Sequence, residues 1–220
     1  MDATATAARL KVAIAELPRA DTASIRAVRR RWSADLKATP AADVLALATA
    51  YEREAGQTGK WVAYELIRFH PGAFAGVSEA EIAGYASRCA SWFAVDAFGT
   101  ILAGPLWAKG RLDDGLVKDW AGSPSRWGRR TALVATVGLN TALAGQGGDA
   151  SRTLAVCRAL AADRDDMVEK GLSWALRELS KRDRPSVEAF MAEMAEVLPA
   201  RVLREVRHKL ATGLKSGRRR

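Results

Sequence analysis

The sequence has little of what several function classes require. Among its 220 residues there are two cysteines, Cys89 and Cys157, far apart and each in an apolar setting. Such a pair does not make a disulfide scaffold, and it fits a reducing cytoplasm. Only two histidines occur, His70 and His208, again distant, so no zinc site and no metal or other cofactor is expected. No apolar run approaches the roughly 20 residues that a membrane helix needs. Met1 to Ala15 lacks a basic start followed by an apolar stretch, so no secretory signal is expected. Strand signals are almost missing: there is no alternating β-branched run, and no Asn-Gly or Asp-Gly pair set between two such runs as a hairpin turn. Aromatics are scarce at 7%, yet seven of them are Trp, against three Tyr and five Phe.

Hydrophobic residues at 49% and charged residues at 27% describe a chain that folds in water. A mass of 23.7 kDa suits one domain or a short repeat array. Ala-rich segments with apolar spacings of three and four recur throughout and predict helices. They cover roughly 3–16, 22–37, 41–56, 59–69, 78–88, 91–103, 113–120, 125–144, 150–162, 165–182, 185–197 and 199–213. Ser78 with Glu81 forms a capping box. Pro185 with Ser186 and Glu188 marks another start, and Pro199 suits a first turn. Gly145, Gly147 and Gly148 break the chain before Asp149, a good cap. About six helix pairs, repeating every 35–40 residues or so, predict an all-α, HEAT-like helical solenoid over 1–213. A compact all-α bundle is the alternative. A stacked array would offer a concave face to a long rigid partner such as duplex DNA.

The formal charge is +9 and favours polyanionic partners. Its distribution matters more than its size. Residues 201–220 hold eight Lys or Arg and one Glu, so that end carries +7 and the body is nearly balanced. Residues 214–220 read as a disordered basic tail that adds nonspecific DNA attraction, or simply as a solvated end.

Helix geometry, about 100° per residue, puts some large side chains on the wrong face. In 165–182, Val168, Leu172, Ala175, Leu176 and Leu179 form the apolar stripe, and Trp174 lies nearly opposite, among Lys170, Arg177 and Lys181. Trp174 then either packs on a neighbouring repeat or sits in a cationic groove for nucleic acid. If a helix starts near Ser91, its core stripe is Ala94, Ala97, Phe98, Ile101 and Leu102. Trp92 and Asp96 are then side by side on the other face, with small Gly99 and Ala103 leaving space beside them. That pair suits a cation. Two plainer readings stay open: Asp96 is an ordinary exposed acid, or the helix from 78 runs through Cys89 and turns Asp96 into the core. In 22–37, Ile25, Val28, Trp32 and Leu36 face the core, while Arg26, Arg30 and Lys37 line up beside them as candidate phosphate contacts. Arg129 and Arg130, in the RWGRR run before 131–139, suit either a phosphate or an Asp partner.

Four segments together resemble a known family. SWFAVD (Ser91–Asp96) has a W-x-x-x-D spacing. SRWGRRTAL (Ser125–Leu133) is similar to a Trp-x-Arg-Arg helix start. MVEKGLSWALRELSKRDRPSVEAFM (Met167–Met191) is similar to a V-x-K-x-x-x-W-A-L-R-E helix followed by a Pro-led one, and KWVAYELIRFHP (Lys60–Pro71) fits an upstream repeat. In this order they resemble the DNA alkylation repair enzymes of the AlkD family, over roughly residues 42–212. The first 40 residues depart from the family pattern, with an Arg-rich stretch in place of an early aromatic near a Gly-Val turn.

The resemblance implies a HEAT-like solenoid and a DNA glycosylase for N3- and N7-alkylated purines in double-stranded DNA, working in base excision repair without a cofactor. It implies a catalytic carboxylate at Asp96, aromatic walls at Trp92 and Trp174, and a DNA contact at Arg130. It also implies a helical array that grips the backbone around the lesion without a deep base pocket. Beside this stand a scaffold of the same fold without excision activity, and a protein-interaction solenoid. The expected setting is a monomer in the cytoplasm, associated with the nucleoid and not with a membrane.

Overall fold

The computed structural model describes residues 1–141 and 148–214; Gly145, Gly147 and the basic tail from Lys215 on lie outside the described residues. Among the described residues there is no strand, and fifteen α-helical segments and one π-helical turn account for the secondary structure. The chain divides into two compact units, Met1–Leu102 and Ala103–Arg220.

The first unit contains α1 (Ala3–Ala15), α2 (Thr22–Asp35), α3 (Ala41–Glu54), α4 (Gly56–Gly59), α5 (Trp61–Arg68), α6 (Pro71–Gly76), α7 (Glu79–Ser87) and α8 (Trp92–Phe98). Within it α1 packs on α3, α3 on α5 and α5 on α8, while α2 lies against α1 and α5. The second unit contains α9 (Gly104–Ala108), α10 (Asp114–Ala121), α11 (Arg126–Asn140), α12 (Ala150–Ala159), α13 (Asp166–Leu179), α14 (Arg184–Glu193) and α15 (Ala200–Thr212). Here α9 packs on α11, α11 on α13 and α13 on α15, while α10 meets α12 in a second row. A helix that repeatedly meets the one two places further on is the mark of stacked helical repeats. The all-α, repeat-like expectation therefore holds.

Local chemistry explains the boundaries. Ser78 and Glu81 form the expected capping box at the start of α7, and Asp149 caps α12 by accepting from the Arg152 N–H at 2.9 Å. Pro185 lies in the first turn of α14, whose cap is Asp183. Pro199 is itself the N-cap of α15, its ψ of 143° holding it outside the helix. Three short helices, α4, α6 and α9, were not expected as separate elements. Gly56, at φ +62°, ends α3 and isolates α4. The π turn Gly99–Ala103 separates α8 from α9.

The core of the second unit is α11, buried on every side from Arg130 to Asn140. A helix apolar around its whole circumference has to be an inner one. Its backbone comes very close to that of α9 at one point. A Cβ built on Gly104 would lie 2.4 Å from the Cα of Gly138, so the two backbones touch where neither residue has a side chain. Asn140 closes the far end of α11: its Nδ2 donates to the Thr136 carbonyl and to Thr153 Oγ1, both at 2.8 Å, and its Oδ1 accepts from the Asp149 N–H at 2.9 Å.

Gly104→Ala should therefore be destabilising although Ala is the better helix former. Overpacking costs about 1–3 kcal/mol and outweighs a propensity gain of at most about 1 kcal/mol. Gly76, with nothing within 4 Å of its built Cβ, is the control. Thermal melts should show Gly104→Ala lower by roughly 2–4 °C per kcal/mol and Gly76→Ala unchanged or slightly higher; equal melting temperatures would contradict the close approach.

Candidate nucleic-acid interface and active site

Helix α8 starts where the chain is forced to stop and restart. Arg88 ends α7, and Ser91 opens α8 by accepting from the Ala94 N–H at 3.2 Å. The break between 88 and 91 is therefore real, and Asp96 is not turned into the core. Ala94, Val95 and Phe98 are the buried side of α8. Phe98 meets Tyr64 edge-on, ring centroids 5.4 Å apart. On the other side Trp92 is 55% exposed. Asp96, one helical turn on, is half-buried. Thr100 Oγ1 donates to the Asp96 carbonyl at 2.6 Å, across the junction with the π turn.

The buried stripe differs from the expected one. Val95 is inside, whereas Ala97 and Ile101 are only half-buried. Ahead of Phe98 the buried side is rotated toward Val95, and past it, at Ile101, spacing on an ideal helix does not carry through the π turn, which holds more residues per turn than an α-helix. Gly99, at the C-cap of α8, and Ala103, at the end of the π turn, are both buried.

A polar group holds the approach to α8. Glu52 of α3 is fully buried, and its two oxygens accept from Lys60 Nζ and Arg88 Nε, each at 2.6 Å. Lys60 Nζ also donates to the Glu52 carbonyl at 2.9 Å. Between Arg88 and α8 lies Cys89, whose Sγ is 3.4 Å from the Tyr85 carbonyl and 3.5 Å from the Tyr64 hydroxyl. Burial pushes the Cys89 thiol up to about 11 and the Tyr85 hydroxyl up to about 12. Both stay protonated at neutral pH, so neither is a nucleophile there. Cys157, enclosed in the second unit, is also driven upward by burial. None of this network stood out in the sequence. Glu52, Arg53 and Glu54 read together as the polar end of a helix, so the sequence carried no signal that Glu52 is buried.

In the second unit the α13 stripe is as expected: Val168, Leu172, Ala175, Leu176 and Leu179 are all buried. Trp174 is half-buried on a different face. Lys170 and Lys181 are exposed and pair along their own helix region, with Asp166 at 2.7 Å and Glu178 at 2.6 Å. Arg177 departs from the expected exposed stripe. It is buried, and its Nε donates to the Ser173 carbonyl and Oγ at 3.1 Å each. Glu205 of α15 explains the turn inward: it accepts from Ser173 Oγ at 2.6 Å and lies 3.8 Å from Arg177. Arg129 takes the charge-partner role, with Nε on Asp163 at 2.6 Å and Nη1 on the Ser123 and Pro124 carbonyls. Arg130 is buried and donates to the Met167 carbonyl at 2.5 Å, tying α11 to the start of α13.

Helix α2 also reads differently in three dimensions. Its buried residue is Arg29, while Ile25, Val28 and Trp32 are half-buried and Leu36 alone of the expected stripe is buried. The cause is Glu65 of α5, which is 5% exposed and takes Arg26 at 2.9 Å and Arg29 at 2.7 Å. Both guanidiniums also stack, Arg26 over Trp61 at 5.3 Å and Arg29 over Phe69 at 4.4 Å. Arg30 and Arg31 point outward, with no ion pair among the described residues. Also among the described residues, no group of His, Cys, Asp or Glu is arranged to hold a metal ion, and no helix is long and apolar enough to cross a membrane.

Both thiols should resist a disulfide reagent at pH 8 in the native protein and react together once denaturant unfolds it. The raised Cys89 value leaves about one thiolate in a thousand at that pH. Fast labelling of either cysteine in the native state would contradict the burial described here.

The site can be set beside known proteins. The family model described as DNA alkylation repair enzyme matches residues 20–210. That range takes in α2, so the match starts earlier than the resemblance read from residue 42 on. Comparisons with curated proteins and with solved structures gave no match. With a match over most of its length, on an all-helical repeat-like fold, the chain belongs to the DNA alkylation repair enzyme family.

Proposed function

We propose that the protein is a DNA glycosylase that removes positively charged N3- and N7-alkylated purines from duplex DNA. The observation that carries this reading is the pattern of charge along the chain around Asp96. From Ala90 to Ala108 it is the only charged residue, in a chain of net charge +9. It stands half-buried beside an exposed Trp92. A local negative charge with an aromatic face suits a cation and repels a phosphate.

The chemistry needs little more. Alkylation at N3 or N7 makes the purine cationic and a good leaving group. The C1′–N9 bond breaks with its electron pair passing to the purine, which departs neutral. The sugar gains oxocarbenium character, and Asp96 stabilises that charge in a partly dry setting. Water adds to C1′ and its proton passes to solvent, with the carboxylate orienting the oxygen. One carboxylate is enough, whereas hydrolysis of ordinary sugar glycosides commonly uses two. Trp92 and Trp174 supply aromatic faces to the cationic nucleotide, each contributing about 0.5–2 kcal/mol.

In this reading Arg30, Lys170 and Lys181 contact phosphates. Arg26, Arg129, Arg130 and Arg177 hold the helices from which those contacts are made, and any contact they make with DNA comes through groups left over from their internal bonds. The enzyme works as a monomer, in the cytoplasm and on chromosomal DNA, at an early step of base excision repair.

The decisive assay is release of 7-methylguanine and 3-methyladenine from methylated duplex under single-turnover conditions. Wild type should excise both, and Asp96→Asn should be slower by roughly 10²–10³-fold. Neutral 1,N6-ethenoadenine should be released far more slowly than 7-methylguanine, because selectivity comes from the lesion's charge. No excision by wild type, with DNA binding retained, would assign the chain to a non-catalytic scaffold.

Salt dependence tests the phosphate contacts. Replacing Lys181 by Ala should weaken binding to all sequences alike and make the slope of log K against log salt shallower by about 0.9. An unchanged slope would remove Lys181 from the interface.

A further inference from the structure

The turn that launches α8 is held from several directions. The Arg88 side chain ends on buried Glu52 at 2.6 Å. The Cys89 thiol is enclosed by Tyr85 and Tyr64. The main chain of the turn is taken by Gln57, from the one-turn helix α4. Its Nε2 donates to the Arg88 carbonyl at 3.0 Å, and its Oε1 accepts from the Ala90 N–H at 2.7 Å. One carboxamide thus pairs with two backbone groups that flank Cys89, much as a neighbouring strand would. Arg88 is the C-cap of α7, and Ala90 directly precedes Ser91, the N-cap of α8. These are positions where helix ends leave backbone groups without a partner of their own.

Gln57 sits there because of Gly56. A φ of +62° is costly for any residue with a Cβ, and it turns the chain sharply out of α3. Gly56 is itself the first residue of α4, so Gln57 follows it in the one-turn helix that lies against α8.

We propose that Gln57 is a positioning residue: its carboxamide fixes the point at which α8 begins, and through it the placement of Trp92 and Asp96. The catalytic part of this inference rests on the glycosylase reading. Helix α8 has seven residues and runs into a π turn, so it has little stability of its own. Asp96 is six residues from Ala90, and a shift at the start of α8 is carried directly to the carboxylate. A misplacement of about 1 Å at a reacting group can cost roughly a hundredfold in rate.

The test compares full-length wild type, Gln57→Leu and Gln57→Glu. Leu keeps the bulk and removes both hydrogen bonds. Glu keeps an acceptor for the Ala90 N–H but sets an oxygen against the Arg88 carbonyl. Three quantities are measured: the single-turnover rate on 7-methylguanine duplex per DNA-binding-competent molecule, the affinity for that duplex, and amide hydrogen exchange resolved by residue. Gln57→Leu should lower the rate by roughly 10–100-fold at unchanged DNA affinity. It should speed exchange at Ala90 and along α8 while leaving α13 as in wild type, and Gln57→Glu should fall between. Unchanged exchange in α8 would overturn the proposal. So would faster exchange with a wild-type rate, or a loss of folded molecules whose remainder works normally, which is what a purely structural role predicts. If wild type itself excises nothing, the glycosylase reading falls, and exchange at Ala90 and α8 decides whether Gln57 fixes the helix.

Discussion

A carboxylate with no access to water organises the first unit. Glu52 is fully buried, and an ionised group there is tolerable only if both oxygens are satisfied by cations. Lys60 and Arg88 do so from two different places in the chain. The first stands at the junction of α4 and α5, and the second at the end of α7. Three elements are thereby tied to one point on α3. Removing one partner of such a group costs about 3–5 kcal/mol, because the other charge is left buried, whereas replacing the whole group by apolar residues is often neutral. The group therefore contributes definition more than strength. Only with Lys60 and Arg88 both in place do Gly56, Gln57 and the 88–90 turn have a fixed relation.

Glu65 repeats the device. It too is almost without exposure and takes two arginines, Arg26 and Arg29, from α2. The aliphatic stems and planar heads of these arginines also cover Trp61 and Phe69. An Arg in this setting packs like a hydrophobe while it neutralises an acid. In the second unit the arrangement is different. There the limit is backbone contact, at Gly104 and Gly138, and the charged groups act at the ends of helices, as with Arg130 on the Met167 carbonyl.

These differences decide what could be read from the sequence. The α13 stripe was legible because Val168, Leu172, Ala175, Leu176 and Leu179 follow the 3.6-residue period on a regular helix whose far side is polar. Ser78, Glu81 and Asp149 were legible because capping is local chemistry. The α8 stripe was misread at Ile101 because periodicity presumes one helical pitch and the π turn after Phe98 changes it, whereas at Val95 and Ala97, ahead of that turn, the buried side is rotated toward Val95. Helix α2 was misread because its buried residue is an Arg, and only Glu65, 36 residues away, makes that sensible. Arg177 was misread for the same reason, its partner Glu205 lying on α15. That Trp92 and Asp96 share the outer side of α8 was legible from spacing, once Ser91 was taken as a helix start; the roles given to them rest on the resemblance. Gln57 carried no signal, since an amide that binds backbone leaves no pattern in side-chain types.

The division of charge bears on how one chain can hold both a polyanion and a cation. A uniformly basic surface would attract DNA, but it would repel an alkylated purine and the oxocarbenium that follows it. At about 4 Å two unit charges interact with about 4 kcal/mol at an effective dielectric of about 20, so on the proposed reading a single misplaced Lys near the lesion would offset much of the stabilisation assigned to Asp96. The sequence keeps cations out of the whole run from Ala90 to Ala108. It keeps others, Arg26, Arg29, Arg129, Arg130 and Arg177, engaged with carboxylates or carbonyls. Other cations are exposed, among them Arg30 and Arg31 on α2 and Lys170 and Lys181 at α13, the two lysines each beside a carboxylate of that helix. A net charge of +9 thus says little about where DNA would lie. The more informative feature is the stretch from which positive charge is missing, because in the proposed function the lesion would bring that charge itself.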